Sequence, residues 1–138
     1  MSKKIGNVLI AFLILVTATT LLYLKPWGTK PFAKLSLEQI MSAEVFLIPP
    51  SQTIVIQVQE DIKELCGILQ EITLYRKDDS GRDYNGQLVQ VTLALSDGTS
   101  HTIGALGSFL FLDDVCYRTK YEPSEKLNSF GNRLRNFN

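Results

Sequence analysis

The chain contains one histidine, His101, and this is the first residue whose chemistry could serve a reaction. Imidazole titrates near neutral pH, so His101 could act as a general base or a metal ligand. No second histidine exists to join it in a metal cluster. The strand pattern around it places the side chain on the core side of a hairpin, near the open margin. We therefore interpret His101 as a partly buried structural histidine.

Two cysteines, Cys66 and Cys116, could form a disulfide outside the cytoplasm or serve as small apolar side chains. Cys66 lies on the inner stripe of a predicted helix. Cys116 shares strand parity with Arg118 and Lys120, which predicts that it points outward. Because a disulfide needs β-carbons within about 4.5 Å, side chains that point apart favour two free thiols.

An acidic stretch contains residue types found in calcium loops: Asp78, Asp79, Asp83 and Asn85. Its glycine stands at the wrong position and no glutamate closes the loop, so we interpret it as a solvated connection. The sequence also contains no phosphate-binding glycine loop, no GxSxG elbow and no HExxH motif. It therefore assigns no catalytic, cofactor-binding or metal-binding residue.

Aromatic and basic side chains meet near the end of a predicted strand and form a candidate binding surface: Tyr117, Arg118, Lys120 and Tyr121. Aromatic residues and arginine are enriched in the cores of protein interfaces. The same residue types also occur on ordinary exposed strands. Both interpretations remain open from the sequence.

Two amphipathic helices are predicted to position these residues. The first covers about residues 60–72, with an apolar stripe at Ile62, Leu65, Cys66, Leu69 and Ile72. Asp61 is predicted to cap it, with Glu64 at the reciprocal position. Gly67 costs about 1 kcal/mol relative to alanine in a helix interior, and close packing is one hypothesis for its presence. The last helix has Pro123 in its first turn and an apolar stripe at Leu127, Phe130 and Leu134.

A short helix over about residues 37–42 is predicted from the capping pair Ser36 and Gln39. Strands are predicted at EVFLI (44–48), at TIVIQV (53–58) with Ile54, Ile56 and Val58 on one face, and at TLYRK (73–77). A hairpin is predicted from FLFL (109–112), a turn at residues 113–114, and VCYRTKY (115–121). Two more strands form a hairpin around a three-residue loop, residues 96–98. In that register Leu93 faces His101 and Val91 faces Ile103, which puts the large apolar side chains on one face.

This order of elements predicts an α+β fold: a mostly antiparallel sheet with two helices packed on one face, preceded by an N-terminal transmembrane helix. Residues 5–24 contain no charge, and about 20 apolar residues in a helix span roughly 30 Å, the thickness of a bilayer core. We expect a membrane anchor or signal segment over residues 1–25, a stalk over residues 26–35, and one extracytoplasmic domain over residues 36–138.

Two interpretations of the apolar segment remain. A signal peptide could be cleaved after Val16-Thr17-Ala18. An uncleaved single-pass anchor is favoured because the apolar run continues to Leu24, and Tyr23, Lys25 and Trp27 could form an interfacial belt. Lysines flank both ends of the run, so the distribution of positive charge does not decide the orientation in the membrane. We expect the domain outside the cytoplasm because the short head before the apolar run resembles that of a signal sequence.

The net charge of zero conceals an asymmetry along the chain. Residues 1–34 contain five lysines and no acidic residue, whereas residues 35–138 contain nine Lys and Arg and fourteen Asp and Glu, a net charge of −5. A domain of that charge is repelled by nucleic acid and by anionic lipid. We therefore expect no nucleic-acid partner; the membrane, reached through residues 5–24, and an envelope protein or ligand are the expected partners.

Four runs together resemble a family of small secreted or membrane-tethered domains from Gram-positive bacteria: AEVFLIPP, DIKELCGILQEI, QVTLALSDGTSHTI and YRTKYEPSEKLNSF. The resemblance covers most of residues 37–134. That family has no assigned function, and many of its members are tethered as lipoproteins, whereas no cysteine stands near the apolar segment of this chain. The resemblance implies a single domain outside the cytoplasm and transfers no site residue.

Two classes of function follow from these observations. The first is a membrane-tethered, non-enzymatic binding or regulatory module for an unidentified ligand. The second is a small cell-envelope enzyme, hydrolase-like, with an unrecognised site. A deep cleft holding a carboxyl group of raised pKa would favour the enzyme, and a shallow surface with an aromatic patch or an exposed edge strand would favour the binding module.

Overall fold

The protein has an α+β fold in which three α-helices accompany one seven-stranded antiparallel sheet, as a computed structural model of residues 3–24 and 26–137 shows. The helices are α1 (Lys3–Leu24), α2 (Gln59–Glu71) and α3 (Tyr121–Phe137). The strands are β1 (Ile40–Ile48), β2 (Gln52–Val55), β3 (Leu74–Lys77), β4 (Leu88–Leu95), β5 (Ser100–Leu106), β6 (Phe109–Leu112) and β7 (Val115–Thr119). The predicted fold class and the predicted order of elements after α1 are both confirmed.

The strands lie in the order β2-β1-β4-β5-β6-β7-β3, and every neighbouring pair is antiparallel. One face carries the core. Its fully buried side chains on the neighbouring strands β1, β4 and β5 include Val45, Val91 and Ile103. Helix α3 packs on this face, and α2 packs beside α3. The apolar stripes of both helices and this face of the sheet therefore form one core.

The β4–β5 hairpin has the predicted register. Leu93 pairs with His101 and Val91 with Ile103, and Gly98 adopts a positive φ of 86° in the loop. Alternation of apolar and polar residues fixes this register because a slip of one residue would turn the apolar side chains out of the core.

Helix α3 approaches the sheet very closely at Gly131. A β-carbon at this position would lie 2.7 Å from Cγ1 of Val89 and 3.3 Å from Cγ1 of Val45. Leu127, Phe130 and Leu134, the predicted stripe of α3, are buried around this contact. The contact with β1 and β4 therefore sets the height of α3 above the sheet.

Three local predictions are wrong. The helix predicted over residues 37–42 is a single 3₁₀ turn, Leu37–Gln39, because Ile40 already pairs with Leu95 as the first residue of β1. Val58 is 54% exposed and does not share the buried face of Ile54 and Ile56, because it stands at the N-cap of α2.

The third correction concerns the start of α2. Asp61 does not cap the helix, which begins at Gln59 after Val58 with no side-chain cap. Asp61 and Glu64 instead both accept hydrogen bonds from Arg133 of α3. A cation from the neighbouring helix attracts these carboxylates more effectively than the free N–H groups of their own first turn.

Helix α1 is long and apolar enough to cross a membrane, and none of its residues is buried by the rest of the chain. These properties suit a membrane anchor and a signal sequence equally. Tyr23 and Trp27, expected in an interfacial belt, are 88% and 72% exposed. Lys25, the third member of that belt, lies outside the described residues.

The segment expected as a stalk packs against the domain from Thr29 onward. Thr29 and Leu74 exchange two backbone hydrogen bonds of 2.7 Å, so residue 29 lies alongside β3. Phe32 and Leu35 are buried in the core, only 5% and 7% exposed. The chain between the end of α1 at Leu24 and the start of this packed segment at Thr29 is therefore only a few residues long.

Because Phe32 is buried, the Phe32→Ala variant of residues 26–138 should lose about 3 kcal/mol of unfolding free energy in urea. Lys34→Ala, an exposed neighbour in the same segment, should change it by less than about 0.5 kcal/mol. Equal midpoints for the two variants would mean that residues 29–35 contribute nothing to the core.

Candidate functional site

A groove of about 630 Å³ opens between α2 and α3 on the side away from the sheet. Ile68 of α2 and Phe130 of α3 contribute apolar surface to it, and both are otherwise buried. We call this the α2–α3 groove and define it by its lining: Glu64, Gly67, Ile68, Glu71, Tyr121, Glu122, Glu125, Lys126, Ser129, Phe130 and Arg133. It is larger than two other pockets of the domain, which measure about 210 and 220 Å³.

Arg133 joins the two helices at one end of the groove. Its Nη2 donates to Asp61 Oδ1 at 2.9 Å and to Glu64 Oε2 at 2.7 Å. The hydrogen bond to Asp61 and the charge of Glu64 raise the pKa of Arg133. The guanidinium group also lies 5.3 Å from the ring centroid of Phe130, a cation–π distance.

Lys126 makes the second cross-helix connection. Its Nζ donates to Glu71 Oε2 at 2.7 Å and lies 3.6 Å from Glu122 Oε1. The hydrogen bond to Glu71 is the main cause of the raised pKa of Lys126. Solvent screens these partly exposed ion pairs, so their main effect is to fix the alignment of the two helices.

The rim of the groove has an excess of negative charge. Four glutamates and two cations line it, which leaves a net charge of −2. Glu125 faces Tyr121, and both its charge and a hydrogen bond to its side chain raise the pKa of the Tyr121 phenol. The groove therefore combines an apolar floor with an acidic rim.

The structure does not bring the four residues of the predicted binding surface together. Tyr117 pairs with Leu110 and packs against the core, on the helix side of the sheet. Arg118 lies on the opposite face, where its Nε donates to Asp78 Oδ2 at 2.7 Å and its guanidinium stacks 4.3 Å from the Phe109 ring. Lys120 is exposed after β7, and of the four only Tyr121 lines the α2–α3 groove.

His101 is partly buried, with 33% of its side chain exposed. Its Nδ1 lies 2.8 Å from Asp113 Oδ2, and Phe32 packs edge-on against the ring at 5.8 Å. Partial burial raises the pKa of Asp113, but hydrogen bonds from the Thr102 backbone and from His101 outweigh it, so the net shift is downward. The residues around His101 thus hold a β-turn and an aromatic contact in place.

Both cysteines are free and buried, and burial raises the pKa of each thiol. The expectation that Cys116 points outward is correct in strand parity, since it lies opposite Phe111 on the face away from the helices. The 3₁₀ turn Asp79–Asp83 covers it there, and a β-carbon on Gly81 would lie 2.7 Å from its sulfur. Neither thiol is therefore accessible in the folded domain.

The acidic stretch that begins at Asp78 makes structural contacts. Asp78 accepts hydrogen bonds from the Ser80 hydroxyl at 2.6 Å, from the Ser80 backbone at 3.1 Å and from Arg118. These bonds, led by the Ser80 side chain and then Arg118, lower the pKa of Asp78 to about 2. Within residues 3–24 and 26–137, no group of three or more His, Cys, Asp or Glu side chains could hold a metal ion.

Lys126 and Arg133 of the α2–α3 groove pair with acidic side chains. The carboxyl groups whose pKa is shifted elsewhere in the domain, Asp78, Asp97 and Asp113, are all shifted downward. Sequence reasoning missed the groove because its depth depends on how far apart two helices pack. Gly67 was the one available signal, since it lines the groove where an ordinary helix would carry a side chain.

Comparison of the chain with protein-family models, with curated proteins and with solved structures gives no match. The resemblance to a Gram-positive domain family therefore stays a prediction. Function must be argued from the geometry of this chain.

The lowered pKa of Asp78 gives a pH-dependent stability. Because its pKa falls from 3.8 to about 2 on folding, its contribution is complete above about pH 5 and is lost as the pH falls through 2. The difference in urea midpoint between the parent and Asp78→Asn should stay constant from about pH 7 to 5 and then shrink toward about pH 2.

Asp83→Asn, an exposed position in the same stretch, is the matched control and should show a much smaller difference at every pH. A difference for Asp78→Asn that stays unchanged down to pH 2 would contradict the assigned contacts.

Proposed function

We propose that this protein is a membrane-tethered, extracytoplasmic binding module that uses the α2–α3 groove to bind an envelope partner. The observation that carries the proposal is the groove itself: an open cleft with an apolar floor and a charged rim. Helix-lined grooves of this kind are a recurring mode of peptide recognition. We propose a non-enzymatic function because the groove presents a surface for contact and its carboxylates Glu64 and Glu71 are held in ion pairs.

The proposal of a tether rests on α1 and on the segment that follows it. Helix α1 has the length and composition of a bilayer span and no contact that buries it. Because Thr29 is already fixed to Leu74, the domain can move only a short distance from the end of the helix. Four residues of extended chain cover about 14 Å, so a membrane-anchored α1 would hold the domain close to the bilayer.

A small envelope hydrolase is the competing hypothesis. It would need a catalytic carboxylate or nucleophile in a water-excluding cleft. In the α2–α3 groove the carboxylates of Glu64 and Glu71 are held by Arg133 and Lys126, and the nearest thiol, Cys66, lies on the buried side of α2. These contacts favour the binding module.

Location and occupancy can be tested together by cysteine labelling, since both native thiols are buried. We expect Ser129→Cys, on the rim of the groove, and Lys63→Cys, exposed on α2 outside the groove, to react with a membrane-impermeant maleimide on intact cells. Ser129→Cys should react more slowly in the native membrane than after purification, because a partner occupies the groove. Lys63→Cys should react at the same rate in both.

Labelling of both variants only after the cells are permeabilised would place the domain in the cytoplasm. Equal rates for Ser129→Cys before and after purification would show that the groove is empty in the cell. Either result would contradict the proposed function.

A further inference from the structure

We infer that the α2–α3 groove binds a cationic amphipathic helix from a partner protein, an inference that rests on the proposed function. The groove is elongated: along α3 its lining extends from Tyr121 to Arg133, about 18 Å at 1.5 Å per residue. It is open along this length, whereas sites for small molecules enclose most of the ligand surface. About three turns of a helix, at roughly 5.4 Å per turn, match this shape.

Gly67 supports an apolar contact at the centre of the groove. A β-carbon at this position would meet no atom within 4 Å, and its φ is not in the left-handed region, so neither packing nor backbone conformation in this chain requires glycine. The residue nevertheless weakens the helix by about 1 kcal/mol relative to alanine. The missing side chain leaves room beside Ile68 and Phe130 for an apolar side chain from a partner.

The charges of the rim select a cationic partner. Lys126 and Arg133 are already engaged by acidic side chains of the domain, Lys126 by Glu71 and Glu122 and Arg133 by Asp61 and Glu64. Four glutamates line the groove against these two cations, so an incoming lysine or arginine would still meet a net charge of −2. An acidic or phosphorylated segment would be repelled, and so would a second copy of this domain, whose net charge from residue 35 onward is −5.

The position of the groove agrees with such a partner. It lies on the side of α2 and α3 away from the sheet, so an occupant would add a third helix to the layer without disturbing the core. Its apolar residues would pack into the open space at Gly67, and its basic residues would extend the alternating charge pattern begun by Arg133 and Lys126.

The test uses the full chain in zwitterionic lipid nanodiscs and two fluorescent 15-residue helical peptides, one of leucine and lysine and one of leucine and glutamate. We expect the Leu/Lys peptide to bind at least about tenfold more tightly than the Leu/Glu peptide, and its affinity to fall as salt is raised. Empty nanodiscs measure partitioning of each peptide into lipid.

Gly67→Leu fills the groove while it improves the helix propensity of α2, so loss of binding cannot come from loss of fold. Gly67→Leu should weaken binding of the Leu/Lys peptide at least about tenfold. Lys63→Leu adds the same side chain outside the groove and should leave binding unchanged. A double variant, Glu122→Gln with Glu125→Gln, should weaken binding and flatten its salt dependence. Thermal unfolding of each variant confirms that it is folded.

Equal binding of the Leu/Lys peptide to the parent and to Gly67→Leu would overturn the inference, as would equal binding of the two peptides. Self-association that Gly67→Leu abolishes would show that the occupant is a second copy, which also overturns it. If Ser129→Cys is protected in cells but the Leu/Lys peptide does not bind, the groove is used by a partner of other chemistry. If Ser129→Cys is not protected, the proposed function itself fails.

Discussion

Helix α3 lies on the β1–β4 pair at a distance that glycine at position 131 permits. A β-carbon there would approach Cγ1 of Val89 to 2.7 Å, closer than packed carbon atoms come, and valine has little freedom to move away. With α3 at this height, Phe130 is only 2% exposed and Leu127 is fully buried. Helix α2 packs beside α3, so its position depends on where α3 lies.

The groove is a consequence of where α3 lies. Arg133 and Lys126 project from α3 toward α2 and hold Asp61, Glu64 and Glu71 at fixed distances. Gly67 lies between these two connections, and a β-carbon there would meet no atom within 4 Å, so the gap between the helices stays unfilled at this point. Glycine thus has two different consequences in the two helices: at position 131 it permits a close contact with the sheet, and at position 67 it leaves open space.

Local patterns were sufficient to predict most of the fold. The register of the β4–β5 hairpin followed from alternation, because only one register buries Val91 and Ile103 together. The stripes of α2 and α3 followed from helical spacing for the same reason. These predictions succeed because burial of one face of a strand or helix depends on residues that are close together in the sequence.

Predictions failed where the cause lies far along the chain. Asp61 looked like a helix cap, but its partner Arg133 is 72 residues away. The outward direction of Cys116 was predicted correctly, but the turn Asp79–Asp83 that covers it was not, because that turn has no apolar pattern. Tyr117 and Arg118 of the candidate binding surface lie on opposite faces of the sheet. The α2–α3 groove could not be predicted because it depends on the separation of two helices.

The most direct test of this account compares Gly131→Ala with Gly67→Ala in urea unfolding of residues 26–138. Both changes give a helix the same gain in propensity, about 1 kcal/mol. Gly67→Ala should raise the free energy of unfolding by about 0.5–1 kcal/mol, because its methyl group meets open space. Gly131→Ala should lower it, because the overpacking against Val89, typically about 1–3 kcal/mol, exceeds that gain. A rise of equal size in both variants would show that α3 is not held against the sheet at Gly131, and the account of the groove would fail with it.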